Sequence, residues 1–219
     1  MFSRLLSRRQ GELHSGSFHI CLHMVRVSPQ ETYDIFNTNV FGTLNMTRAV
    51  LPFMRQQHSG IIANFGSLIG WYGVPAGALY GATKSTVSVI SESLVPELAE
   101  FGITATVIEA GYFRTSIFND GVKVSPALRM KEYEDTAVGQ VRQMLNKMNE
   151  HQQGDVRKGA EVIVDVLTKS GVAKGKEIPM RLILGSDCQA GIRKKISDTL
   201  PLLDEWKVIS ESTDYHNGS

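Results

Sequence analysis

The chain has 219 residues, 42% of them hydrophobic, which is enough for one domain with a sizeable core. Its formal net charge of +1 gives no electrostatic case for a nucleic-acid partner, and no run approaches the length of a membrane span. Cys21 and Cys188 stand far apart in no metal-like spacing, which argues against a disulfide framework or a zinc site and makes a reducing, cytoplasmic setting the default.

The start, "MFSRLLSRRQGELHSG", carries Arg4, Arg8 and Arg9 and no acid before Glu12. It faintly resembles a transit peptide, although acid-poor termini are commonly just solvated chain. Residues 1–27 are read as an atypical N-terminal segment, and 28–219 as one catalytic part. "SPQE" at 28–31 predicts a capping box: Ser28 caps, Pro29 takes the first helical position and Glu31 reaches back. Behind it, Ile35, Val40, Phe41, Leu44, Val50 and Leu51 recur at mostly helical spacings. "GIIANFGS" (60–67) predicts a short buried strand, and 78–102 a helix stopping at Gly102, with Pro96 expected to kink or break it. "ITATVIEAG" (103–111) is strand again. Residues 116–153, polar and rich in Met and Gln, predict a mobile helical insertion forming lid and pocket. Its Met130, Met144 and Met148 could face an apolar ligand, though Met at helical spacing is more often core filling. A helix over 156–171, a strand over 180–187 and a last helix with a capping box at Ser186–Gln189 complete the pattern.

Strands alternating with helices of this length imply an α/β domain with a parallel sheet and right-handed crossovers. Ligands bind beyond the carboxyl ends of such strands, and Ser67 lies just past one. One helical turn separates Tyr80 from Lys84, behind the glycine-rich loop "GSLIGWYGVPAG". A phenol titrates near pH ~10 and needs help to exchange protons at neutrality; a nearby ammonium stabilises its phenolate. Ser67, Tyr80 and Lys84 therefore make a proton-transfer unit for interconverting a carbonyl and an alcohol. Asn39, a polar amide in an otherwise apolar helix stretch, could join it. Taken singly, each has a plainer use: a surface packing pair, a strand-end turn, a local backbone bond.

Together, "NTNVFG", "GIIANFGSLIG", "YGATK" and "EAGYFRT" occur in the order and spacing of the short-chain dehydrogenase/reductase superfamily, which the chain resembles over about residues 28–219. The tail from Met180 onward is similar to fungal members. The resemblance implies a Rossmann-like doubly wound sheet lacking its first strands, and an NAD(P)-dependent oxidoreductase. It casts Tyr80 as the general acid/base, Lys84 as the residue that lowers the tyrosine pKa and holds the nicotinamide ribose, Ser67 as the substrate-oxygen partner and Asn39 as the anchor of a relay water. Arg48, Gly111, Phe113 and Thr115 match cofactor-contact positions, with Ala110 standing where the family usually has proline. It also implies a small-molecule carbonyl or alcohol substrate, in keeping with fungal secondary metabolism, and a homo-oligomer.

The front departs from that pattern. No G-x-x-x-G-x-G or G-x-G-x-x-G precedes Asn39, so the backbone amides that hold the cofactor pyrophosphate at a helix N-terminus are not found. NADP (or NAD) is accordingly expected to bind weakly or not at all. Three readings stay open: a catalytic-half fragment of an oxidoreductase, a non-catalytic descendant that binds or regulates, or a catalyst of dehydration or isomerisation that uses no nicotinamide.

Overall fold

The computed structural model describes residues 28–118 and 131–215; the expectations for the N-terminal segment, Cys21 and Met130 lie outside them. The chain folds as an α/β unit whose described strands form one parallel sheet in the order β1 (Gly60–Phe65), β2 (Ile103–Ala110), β3 (Arg181–Leu184). The register runs from Gly60 opposite Ile103 to Phe65 opposite Ile108, and from Val107 opposite Arg181 to Ala110 opposite Leu184. All three carboxyl ends therefore meet on one side, where Ser67 and Gly111 follow directly.

Helix α1 (Pro29–Phe36) starts as the sequence predicts. Ser28 Oγ accepts the Glu31 N–H at 3.1 Å, and Glu31 Oε2 accepts the Ser28 N–H at 2.8 Å. The long apolar periodicity behind it is not one regular helix. A π-turn at Asn37–Phe41, marked by the Gly42 N–H bonding the Asn37 carbonyl, joins α1 to α2 (Gly42–Gln57). Helix α3 (Ala78–Ala99) runs through Pro96 without breaking there. Proline removes one bond to the preceding turn, but Leu98 beyond it is buried with Ile62 and Ile103, and that packing holds the last turn.

The 116–153 stretch contains short turns at Ser116–Phe118 and Lys131–Tyr133 and helix α4 (Ala137–Met148). Val138, Val141 and Leu145 of α4 pack on the cluster around Ile35 and Tyr80, whereas Met144 is exposed. Met148 is half-buried. Helix α5 (Val156–Leu167) is capped by Asp155, whose carboxylate accepts the N–H groups of Arg157 and Lys158. Helix α6 (Ser186–Glu211) does not use the expected Ser186–Gln189 box. Its N-cap is Gly185, at a φ of 100° that favours glycine, so Ser186 is already helical and its hydroxyl accepts from Gln153 instead. Among the described residues, no helix is long and apolar enough to cross a membrane.

Candidate active site

The site is assembled where β1 and β2 end. Gly66 follows β1 and packs so closely on Glu109 of β2 that a Cβ there would sit 2.3 Å from Glu109 Oε2. This contact lets the next residue, Ser67, donate its backbone N–H to that same oxygen at 2.9 Å. The Ser67 hydroxyl accepts the Ile69 N–H at 3.3 Å and starts the tight turn Leu68–Gly70. The loop then folds back against α3. At Gly70 a Cβ would lie 3.1 Å from the Lys84 carbonyl carbon, so the backbone approaches the helix as glycine allows. The reversal into α3 uses a left-handed residue as well, but it is Ala76 (φ 65°) rather than one of the glycines at 70, 73 and 77.

Tyr80, in the first turn of α3, is 8% exposed and packed with Ile35, Ala76 and Leu145. Burial pushes its phenol up to about 12, while hydrogen bonding with the Ser67 side chain pulls the other way. Lys84, one turn on, is also buried; its Nζ donates to the Phe65 carbonyl at 2.9 Å and lies 5.7 Å from the Tyr80 ring centroid. Burial draws the ammonium down to about 8, opposed by the negative charge of Glu109. The structure thus brings Ser67, Tyr80 and Lys84 to one spot. The expected lowering of the Tyr80 pKa is not what this arrangement gives, because loss of solvation outweighs the neighbours.

Asn39 reaches the same helix by another route. Its Nδ2 donates to Thr83 Oγ1 at 3.0 Å, and the Thr83 hydroxyl donates to the Tyr80 carbonyl at 2.8 Å. The Asn39 carbonyl, inside the π-turn, accepts the Thr43 hydroxyl at 2.7 Å. Asn39 therefore braces the first turn of α3 through Thr83.

This geometry has close relatives. A solved short-chain dehydrogenase from Streptomyces avermitilis superposes with a TM-score of 0.75 and 31% sequence identity, over 88% of this chain and 67% of its own. The chain belongs to the short-chain dehydrogenase/reductase superfamily. A family profile described as short chain dehydrogenase matches residues 19–125. An uncharacterised oxidoreductase of Schizosaccharomyces pombe is 34% identical over 128 residues, covering 56% of this chain and 54% of its own length. An oxidoreductase of Botryotinia fuckeliana is 33% identical over 175 residues, covering 78% and 60%. The chain thus spans a little over half the length of these curated relatives.

Within this short-chain dehydrogenase/reductase frame, the remaining predicted positions are spread out. Gly111 follows β2, its N–H bonded to the Leu184 carbonyl at 2.9 Å, and a Cβ there would strike the Asp187 carboxylate. The Phe113 ring lies against Gly154 and Gly159, at the start of α5. Thr115 is exposed, its hydroxyl accepting the Ile117 N–H at 3.4 Å. Arg48 is exposed on α2, with its guanidinium 3.5 Å from Asn45 Oδ1.

The sequence reading missed the polar layer beneath the site. Glu109, 0% exposed, receives Ser67 N–H, Ser88 Oγ at 2.8 Å and Arg181 at 2.5 Å. Arg181 also binds Glu92 at 2.5 Å and lies 4.6 Å from the Trp71 ring centroid. Asp187 accepts the Tyr112 N–H at 2.7 Å. The available signal was an acid closing the apolar run "ITATVIEA" and an arginine opening "RLIL", charges that must pair if their strands are central.

Proposed function

We propose that the protein is an oxidoreductase interconverting a carbonyl and an alcohol on a small molecule, with NADP or NAD as redox partner. One observation carries this: Ser67, Tyr80 and Lys84 converge at the carboxyl end of β1, the side on which such sheets bind ligands. In this reading the Tyr80 hydroxyl delivers a proton to the substrate oxygen in reduction and removes it in oxidation. Ser67 hydrogen-bonds that oxygen and fixes its position. Asn39, through Thr83, holds the turn of α3 that carries Tyr80.

The residues present fit the nicotinamide end of the cofactor. Lys84 offers a buried ammonium for ribose hydroxyls, and Gly111, Phe113, Thr115 and Arg48 are proposed as further contacts. When bound, the cofactor supplies or accepts the hydride. No glycine-rich phosphate turn precedes Asn39, so this chain is expected to bind NADPH no tighter than about millimolar. A fluorescence titration giving a micromolar constant would contradict that. A substrate of the kind fungal secondary metabolism supplies, a cytoplasmic setting and a homo-oligomer complete the proposal.

The deciding experiment assays the full chain, with NADPH at millimolar concentration, on a panel of ketones. Tyr80→Phe should lower turnover by roughly 10²–10⁴-fold while leaving the circular dichroism unchanged. Activity retained in that variant would assign the chemistry to other residues. The second reading is a non-catalytic binding protein derived from the same family. It predicts no turnover from either form.

A further inference from the structure

Among the described residues, Glu109 is the one acid buried at the sheet's carboxyl end, and three elements donate to it. The loop after β1 gives the Ser67 N–H to Oε2, while α3 gives Ser88 Oγ and β3 gives Arg181 to Oε1. Gly66 has no side chain in the place where one would collide with it. A fully buried carboxylate is costly unless each lone pair is used, and here the donors include the backbone of a proposed site residue. Ser88, which bonds it, lies 3.0 Å from the Lys84 carbonyl, one turn along α3.

We infer that Glu109 is a positioning residue for the Ser67–Tyr80–Lys84 unit: it clamps Ser67 through the backbone and supplies the negative charge that keeps the buried Lys84 ammonium protonated. The inference rests on the proposed function for its purpose, and on the geometry for its content. The titratable and charged groups around Lys84 can be named. Tyr80 sits on the same helix and Glu109 on β2; behind Glu109 come Arg181 on β3 and Glu92 on α3. Tyr112 adjoins Tyr80, with Tyr72 and Asp187 behind it. Of these, Glu109 is the neighbour that opposes the burial of the lysine, whose ammonium sits at about 8. Without Glu109 the burial of Lys84 goes unopposed and its ammonium gives up the proton at lower pH. A neutral amine could not assist the phenol.

The test reads ionisation, so a chain that turns out to reduce no carbonyl still answers it. The full chain is labelled with [ε-13C]lysine, Lys84 is assigned with a Lys84→Met variant, and its NMR shift is followed from pH 5 to 11. The Glu109→Gln variant, similar in shape but uncharged, should move the Lys84 midpoint down by about one pH unit, a tenfold loss of proton affinity. The Glu109→Asp variant should restore most of it, which a purely space-filling role would not. If Glu109→Gln alone does not fold, the paired replacement Glu109→Gln with Arg181→Gln is compared with Arg181→Gln alone, so that the lost cation cancels, and should show the same downward shift. An unchanged midpoint in folded Glu109→Gln relative to wild type, or in the paired variant relative to Arg181→Gln, overturns the inference, as does a fall in Glu109→Asp equal to that in Glu109→Gln.

Discussion

Where β1 and β2 end, Ser67, Lys84, Ser88 and Glu109 are buried polar groups, and each is hydrogen-bonded. Along the other flank the arrangement is reversed: Phe41, Met46 and Phe53 around α2, and Ile61 and Phe65 on β1, are large apolar groups standing in solvent. Among the described strands β1 has only β2 as a neighbour. Phe65 belongs to both regions, since its carbonyl receives Lys84 while its ring is 52% exposed. Buried polar groups persist only when every partner is in place, so the first region is demanding of single residues. Exposed apolar surface costs the single chain little and instead favours association.

The largest effect should come from opening the buried region. Glu109→Ala leaves Arg181 with Glu92 as its carboxylate partner and the Ser67 N–H without its acceptor, while Ser88 keeps the Lys84 carbonyl. It should lower stability by about 3–5 kcal/mol in urea denaturation.

A middle-sized effect is set by pH. The Lys84 ammonium titrates at about 8 in the folded protein against 10.5 ordinarily, so between those values the unfolded chain holds more protons than the folded one. Stability contributed by this group therefore rises with pH through that window, the burial cost being fully present below it. Tyr80, raised from 10.0 to about 12, acts in reverse and removes stability above pH 10. Relative to Lys84→Met, the wild-type urea midpoint should climb between pH 8 and 10 by the equivalent of roughly 2 kcal/mol. A flat difference would mean that the lysine is solvated in solution.

The smallest effect on stability should come from the exposed flank. Phe65→Ser keeps the carbonyl that holds Lys84 and should change stability by no more than about 1 kcal/mol. If the apolar flank drives the homo-oligomer proposed for this chain, the same change should reduce the mass seen by light scattering at tens of micromolar. A wild type that is monomeric there would remove that argument.

How much of this was legible beforehand follows from the range of the interactions. Ser28 with Glu31, and Tyr80 with Lys84, lie three and four residues apart, so sequence spacing carries their geometry. The strands announced themselves by apolar runs between glycines, and the parallel sheet followed from their alternation with helices. Glu109 depends on Ser67 and Arg181, 42 and 72 residues away, and no local pattern records such a pairing. The Ser186 box failed for a local reason that spacing does not show: Gly185 could take the left-handed conformation and become the cap first. The rise of the Tyr80 pKa was hidden too, because it comes from α1 and α4 closing over the ring.

The π-turn at Asn37–Phe41 is in effect a phase correction. Ile35, Val40 and Thr47 are all buried, but the first pair is five residues apart and the second seven. Seven residues is about two ordinary helical turns; five overshoots one turn by about 1.4 residues, about 140° of rotation in a regular helix. The wide turn absorbs that surplus, so the stripes of α1 and α2 point the same way. Deleting one residue from the turn would leave a more regular helix with its two halves out of phase. Either Ile35 would rotate away from Tyr80 or Asn39 would rotate away from Thr83.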